Sequence, residues 1–286
     1  MAAVGLGGII TAMVTPFDAE GRVNEAAFVA LLHHLLENGS DGVVVAGTTG
    51  EGATLDDAEK LRLFELAVGE SGGAAVIAGT GSNDTAHSVE LTRRAAALGV
   101  DAALVVTPYY NKPNRRGILA HFQAVAEAAP DLPIVVYNIP GRCVVDIPNE
   151  LLAELARIDN VRAVKQARFE DIAPIDGMDL LAGNDDTLAE TLDRGGTGGI
   201  CVASHLVGAE MRRMIDEPDE RERIHESLQD VFSAMAVTVN PIPVKTAMRM
   251  LGHDVGGFRL PMVEASAEEA EEIRVVLDRH GLLSAV

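Results

Sequence analysis

Lys165 is the residue whose type and position most clearly suggest chemistry. The chain has four lysines among 286 residues, and Lys165 lies near the end of Val161–Gln166, an apolar segment that is typical of a buried β-strand. Burial disfavours the charged form of a lysine, and a neutral amine is the nucleophile that Schiff-base chemistry on a carbonyl compound requires. A lysine at a strand end can also reach solvent and have no function. The polar residues around it therefore decide between the two interpretations.

Other polar residues follow neighbouring apolar segments. Tyr137 lies near the end of the segment before that of Lys165, and its phenol could transfer protons during imine formation. Thr48 and Thr49 lie in a turn bracketed by glycines, where hydroxyl and backbone N–H groups suit a carboxylate. Arg142 offers a planar guanidinium for a second carboxylate. Each residue alone is compatible with a structural role, but together they predict a site for a 2-oxo acid.

Eight short apolar segments alternate with amphipathic ones. Near-continuous apolar runs such as Val43–Val45 predict parallel strands that are buried on both faces. The repeat predicts an α/β fold, a (β/α)8 TIM barrel over residues 1–206, followed by a C-terminal helical domain over residues 207–286. An open doubly wound sheet is the alternative, but its first strand would lead into a glycine-rich loop and not into Thr15-Pro16-Phe17. The predicted strands are Gly8–Thr15, Gly42–Gly47, Ala74–Gly79, Ala102–Thr107, Pro133–Asn138, Val161–Gln166, Asp179–Gly183 and Gly198–Ala203.

The barrel would bring the polar residues together, because active sites of this fold form at the C-terminal ends of the strands. Residues 168–177, between the sixth and seventh strands, leave little room for a full helix. After the eighth strand the pattern predicts helices only, among them one continuous helix over Glu220–Thr238.

Composition excludes several classes of function. A formal net charge of −20 argues against partners such as nucleic acid or an anionic membrane. The chain has no apolar run long enough to cross a membrane and no basic amino-terminal signal segment, so we expect a cytoplasmic protein. Cys143 and Cys201 form no CxxC pair and are expected to be small buried side chains. No spaced set of histidines, cysteines and carboxylates predicts a metal site.

Seven sequence blocks carry a resemblance: TAMVTPF (11–17), GTTGE (47–51), TPYYNKP (107–113), YNIPGR (137–142), VK (164–165), GNDD (183–186) and NPIPVK (240–245). In this order they resemble the dihydrodipicolinate synthase family, which belongs to the pyruvate-dependent class I aldolases together with N-acetylneuraminate lyase. The resemblance covers nearly the whole chain. It implies a lyase that condenses pyruvate with aspartate-semialdehyde to form 4-hydroxy-tetrahydrodipicolinate, the precursor of diaminopimelate and lysine. The only cofactor-like group would be the covalent Schiff base with pyruvate.

The resemblance also implies catalytic roles. Lys165 would form the Schiff base, and Tyr137, Thr49 and Tyr110 would make up a proton relay. In this family the second tyrosine of the Tyr-Tyr pair reaches into a neighbouring subunit. A homo-oligomer, usually a tetramer, is therefore expected.

Substrate-binding roles follow from the same resemblance. Thr48 and Thr49 would hold the carboxylate of pyruvate, and Arg142 would hold that of aspartate-semialdehyde. Gly183 and Ile200 would contribute backbone contacts. Sugar-acid lyases generally lack an arginine at the position of Arg142, so this residue favours a synthase.

The chain departs from the family pattern at two places. Gln166-Ala167-Arg168-Phe169 stands where an acidic residue and a small-residue turn are typical. This segment borders the predicted site, so the departure concerns the specificity for the second substrate. Asp57, Lys60 and His87 stand at the positions of the family's lysine-feedback residues, so we expect no feedback by lysine. The alternatives are a related aldolase or dehydratase for another 2-oxo acid, such as a sugar-acid or N-acetylneuraminate lyase, and a non-catalytic sensor on the same barrel.

Overall fold

Eight parallel strands close into a barrel in chain order, with β8 paired to β1. A computed structural model describes residues 8–283. The prediction that the amino terminus is not a signal segment concerns mainly residues 1–7, which lie outside the described residues. The predicted (β/α)8 barrel and all eight strands are confirmed, with the same or shorter bounds, and β1 is half as long as predicted. The strands are β1 (Ile9–Ala12), β2 (Gly42–Val45), β3 (Ala75–Gly79), β4 (Ala102–Val106), β5 (Ile134–Asn138), β6 (Val161–Gln166), β7 (Asp179–Ala182) and β8 (Gly198–Cys201).

Side chains alternate between the two faces of each strand, and the runs are apolar at every position because both faces are buried. In β2, Val44 points into the barrel interior, whereas Val43 and Val45 pack against the surrounding helices. Successive side chains of a strand lie on opposite faces, and here both faces are covered. Apolar side chains from all eight strands fill the interior, with Tyr137 among them, so the barrel is a packed core that supports a site at one end.

Helices follow most strands, and side-chain caps stabilise the starts of several of them. The side chain of Asn24 accepts a hydrogen bond from the N–H of Ala27, and Asp56 forms a capping box with Glu59. The helices that surround the barrel are α1 (Glu25–Glu37), α2 (Asp57–Glu70), α3 (Thr85–Ala97), α4 (Arg115–Ala128), α6 (Asn149–Leu155), α7 (Leu188–Asp193) and α8 (Ser204–Asp216). The short helix α5 (Pro140–Cys143) follows β5 at the rim.

The connection between β6 and β7 contains no full helix, as predicted. A single 3-10 turn spans Phe169–Asp171, and the side chain of Arg168 forms an ion pair with Asp146 beside it. The short connection thus begins at the end of β6, where the sequence departs from the family pattern at Gln166-Ala167-Arg168-Phe169.

The C-terminal part is helical, but the single helix predicted over Glu220–Thr238 is wrong. The N–H of Leu228 bonds to the carbonyl of His225 three residues back, and this tighter turn separates two short helices. A 3-10 turn over Pro218–Glu220 precedes them. The helices are α9 (Arg221–Ser227), α10 (Gln229–Ala234), α11 (Ile242–Met250) and α12 (Ala267–Arg279).

The predicted division into two domains stays a prediction. The boundary after residue 206 falls inside α8, next to Val207, whose φ of −130° and ψ of 37° are not helical. None of the helices within residues 8–283 has the length and apolar character needed to span a membrane.

Candidate active site

Two adjoining cavities open at the C-terminal ends of the strands, with volumes of about 520 and 410 Å³. They share Thr48, Tyr137, Ile139, Arg142 and Asn240 as lining residues. The smaller cavity contains Lys165, and we refer to it as the lysine cavity. The larger one extends towards α2 and the start of α3, and we refer to it as the outer cavity.

Lys165 and Tyr137 lie side by side on β6 and β5, where they are direct partners in the strand register. The Nζ of Lys165 is 4.4 Å from the centroid of the Tyr137 ring, and each residue is only 5% exposed. The sequence prediction of a buried lysine near a strand end is therefore confirmed. Beneath the two side chains lie apolar residues of the barrel interior, including Ile200 and Leu181. The amine is thus held at the boundary between an apolar core and an open cavity.

The turn after β2, residues 47–51, places its two threonines differently. Thr48 is exposed and lines both cavities, whereas Thr49 is 2% exposed. The Oγ1 of Thr49 accepts a hydrogen bond of 2.9 Å from the Nδ2 of Asn240. The hydroxyl of Thr15 donates to the carbonyl of Gly50 at 2.6 Å and so fixes the turn to the end of β1.

Arg142 lies in α5, directly after β5, and its side chain faces both cavities. One of its terminal nitrogens donates to the backbone carbonyl of Asn240 at 3.3 Å. The guanidinium is exposed and makes no ion pair within the described part of the chain, so its charge is available to an anion.

The end of β7 supplies Gly183 and Asp185. A Cβ on Gly183 would lie 2.6 Å from the carbonyl oxygen of Gln166, so only glycine fits here. Asp185 accepts a 2.8 Å hydrogen bond from the N–H of Val202, which connects the ends of β7 and β8. Burial raises the pKa of Asp185, while the N–H groups of Val202 and Ala203 and the charge of Lys165 act in the opposite direction.

Two of the predicted site residues do not line the lysine cavity of this chain. Tyr110 is 87% exposed and has a φ of +70°, a conformation that is uncommon outside glycine. Ile200 is 1% exposed within the barrel interior, and Val202, two residues further on, lines the cavity instead. The structure therefore brings together Lys165 and five of the predicted residues, namely Tyr137, Thr48, Thr49, Arg142 and Gly183.

Sequence reasoning missed the second buried lysine. Lys245, in α11, is 0% exposed, and its Nζ lies 2.9 Å from the Oε1 of Glu51. The same ammonium donates to the carbonyl of Thr15 at 2.9 Å. Burial lowers the pKa of Lys245, and Glu51 opposes that shift. The block NPIPVK contributes to the family resemblance, but Lys245 and Glu51 are 194 positions apart in the sequence. No local pattern therefore predicts their contact.

The C-terminal helices also contribute to the lysine cavity, which the sequence did not predict. Gln229, Phe232 and Ser233 of α10 line it, together with Asn240. A cluster of three or more histidines, cysteines or carboxylates that could hold a metal is not found in residues 8–283.

The outer cavity contains the residues at the feedback positions. His87 and Asp57 are 2.8 Å apart, between Nε2 and Oδ1, and Lys60 lines the same space. Burial lowers the pKa of Lys60, and the charges of Asp57 and Asp56 oppose that shift. The outer cavity thus already holds a lysine ammonium of the chain itself.

Comparisons with known proteins agree over almost the whole chain. The model of DHDPS, the dihydrodipicolinate synthetase family, matches residues 5–280. The 4-hydroxy-tetrahydrodipicolinate synthase of Synechococcus elongatus is 44% identical, covering 98% of each chain. The enzyme of that name from Heliobacterium modesticaldum is 45% identical, covering 96% of each.

Solved structures agree as well. The DHDPS from Cyanidioschyzon merolae with lysine bound is 42% identical and has a TM-score of 0.95 over 99% of this chain and 100% of its own. The dihydrodipicolinate synthase from Acinetobacter baumannii complexed with pyruvate is 32% identical, with a TM-score of 0.93 over 97% and 100%. The predicted family is therefore confirmed. The chain belongs to the dihydrodipicolinate synthetase family.

Proposed function

We propose that this chain is a 4-hydroxy-tetrahydrodipicolinate synthase, a lyase that condenses pyruvate with aspartate-semialdehyde. The observation that carries the proposal is the pair of Lys165 and Tyr137 in a cavity that also faces Arg142. The curated relatives carry this activity in their names. A non-catalytic sensor would not need a buried amine beside a phenol.

The first step is imine formation. The neutral amine of Lys165 attacks the ketone carbon of pyruvate, water leaves, and a Schiff base forms. Loss of a proton from the methyl group then gives an enamine, whose carbon attacks the aldehyde of the second substrate. The amino group of that substrate then adds to the imine carbon, and the bond to the lysine nitrogen breaks as the ring closes, which releases Lys165. The phenol of Tyr137, next to Lys165 in the register, is placed to carry protons in these steps.

Thr48 and Thr49 are proposed to have different roles, one in proton transfer and the other in binding the carboxylate of pyruvate. The resemblance assigned Thr49 to the proton relay, but its oxygen accepts from Asn240 and it is buried. The exposed hydroxyl of Thr48 is the better relay partner of Tyr137, and Thr49 is better suited to the carboxylate of pyruvate. Thr48→Val should therefore lower kcat, whereas Thr49→Val should mainly raise KM for pyruvate, and the reverse result would restore the first assignment.

Arg142 is proposed to bind the carboxylate of aspartate-semialdehyde. Its guanidinium faces the shared opening of both cavities and has no carboxylate partner among residues 8–283. A planar fork of donors binds a carboxylate through two parallel hydrogen bonds. The backbone of Gly183, which lines the lysine cavity, would complete the site, with no cofactor besides the covalent imine.

Tyr110 is proposed to act in the site of a neighbouring subunit. A tyrosine that is 87% exposed in a constrained backbone conformation is placed to contact another molecule and not its own cavity. A homotetramer in the cytoplasm stays the predicted state. Sedimentation velocity tests the assembly, and a monomer that retains full activity would contradict this role.

Borohydride trapping tests the proposed function directly. Incubation with pyruvate and borohydride should attach a reduced pyruvate adduct to Lys165, detected by peptide mass spectrometry. Lys165→Ala should give no adduct, whereas Lys112→Arg, which changes an exposed lysine, should be labelled like the unmodified chain. Turnover with aspartate-semialdehyde, measured against cleavage of N-acetylneuraminate, then separates the synthase from its alternative. An adduct elsewhere, or none, would refute the mechanism.

A further inference from the structure

Asn240 connects the C-terminal part of the chain to two of the side chains proposed to bind substrate, Thr49 and Arg142. It lies two residues before α11 and lines both cavities. Its Nδ2 donates to the Oγ1 of Thr49 at 2.9 Å, and its backbone carbonyl accepts from Arg142 at 3.3 Å. One residue therefore touches both proposed carboxylate-binding groups.

In the hydrogen bond between Asn240 and Thr49, the side-chain amide is the donor and the hydroxyl oxygen is the acceptor. A threonine hydroxyl has one hydrogen to donate and lone pairs that accept. Because the amide of Asn240 donates to the oxygen, it leaves the hydroxyl hydrogen of Thr49 free. No other hydrogen bond to this side chain is found among residues 8–283. The hydrogen is therefore available to an acceptor in the lysine cavity, which Thr49 lines.

Asn240 is held in place by the element that follows it. Five residues further on, the buried ammonium of Lys245 bonds to Glu51, at the end of the same turn that carries Thr49. The side chains of Asn240 and Lys245 thus contact the turn at two points. A side chain anchored in this way can fix the direction of a neighbouring hydroxyl group, because neither partner is free to move away.

We propose that Asn240 is a positioning residue that directs the hydroxyl hydrogen of Thr49 towards the carboxylate of the 2-oxo acid in the lysine cavity. This inference rests on the proposed function, since it requires pyruvate to bind beside Lys165. Asn240 itself takes no part in bond formation. Its effect is on the capture of pyruvate, before the second substrate enters.

The test is a double-mutant cycle with steady-state kinetics and borohydride trapping. Asn240→Leu keeps the approximate size of the side chain and removes the amide donor, so KM for pyruvate should rise about fivefold. KM for aspartate-semialdehyde should stay within about twofold, because the backbone carbonyl that Arg142 contacts is retained. The same change in a Thr49→Val background should raise KM for pyruvate by less than about twofold, since no hydroxyl remains to be directed.

Thr49→Ser is the matched control, because it retains a hydroxyl, and Asn240→Leu should again raise KM for pyruvate in this background. An equal rise in the Thr49→Val background would show that Asn240 acts only through the shape of the turn, and would overturn the inference. An unchanged KM for pyruvate in Asn240→Leu would overturn it as well. If the unmodified chain were not labelled by pyruvate at all, the proposed function would fail first, and the inference with it.

Discussion

Replacement of Lys245 by methionine should destabilise the fold strongly. The ammonium group is fully buried and bonds to Glu51 and to the carbonyls of Thr15 and Gly257. Methionine fills much of the same volume but donates no hydrogen bond. Among residues 8–283, the carboxylate of Glu51, itself 5% exposed, would keep a single hydrogen-bond donor, the N–H of Arg259 at 3.1 Å.

The size of the effect follows from the charge that is left behind. Removing one partner of a buried ion pair destabilises a protein by about 3–5 kcal/mol. The entropy of unfolding is about 2.1 cal/mol/K per residue, or about 0.6 kcal/mol/K for 286 residues. A loss of about 3 kcal/mol should therefore lower Tm by about 5 °C.

Thermal unfolding followed by circular dichroism, at one protein concentration, measures this shift. Lys245→Met/Glu51→Gln is the informative second variant, because it removes both charges and should recover part of the lost stability. Lys112→Met, at an exposed lysine, should leave Tm within about 1 °C. If Lys245→Met lowered Tm by less than about 2 °C, or the double variant were as unstable as the sum of its singles, the buried charge would not be the cause.

Three further predictions concern pH, the second substrate and lysine. Burial lowers the pKa of His121 to about 4, so its contribution to stability is complete above the unfolded value near 6.5 and is lost as pH falls towards 4. At pH 5.5 the loss is about 1.4 kcal/mol, and urea unfolding of His121→Gln should show a correspondingly smaller pH dependence. Arg142→Ala should raise KM for aspartate-semialdehyde at least tenfold, or about 1.4 kcal/mol, while pyruvate labelling of Lys165 persists, and equal losses for both substrates would contradict its assignment. Millimolar lysine should leave turnover nearly unchanged because Lys60 already places a cation in the outer cavity, and strong inhibition would refute this.

Most of the barrel could be predicted because its signals are local. Runs such as Val43–Val45 are apolar at each position, and the caps Asn24 and Asp56 act within three residues of themselves. The break at Leu228 was missed because a single change from four- to three-residue hydrogen bonding leaves little trace in the pattern of apolar side chains.

The site was predictable in its residue types but not in its contacts. A strand with a lysine near its end indicated Lys165, and the barrel geometry placed Tyr137 beside it. The bond from Asn240 to Thr49 joins residues 191 positions apart, so no local pattern reports it. Thr48 lines both cavities and Thr49 lines only the lysine cavity, and this difference depends on the backbone of the turn, where Glu51 has a φ of +53°. Composition does not report such a backbone conformation.

The lysine cavity is built by two parts of the chain that do different things. The strands supply the amine and the phenol, whereas α10 supplies Gln229, Phe232 and Ser233 to the lining. Side chains of α10 can therefore be exchanged without disturbing the register that aligns Lys165 with Tyr137. Libraries randomised at Gln229 and Ser233 are a direct route to variants that accept bulkier aldehydes while they still activate pyruvate.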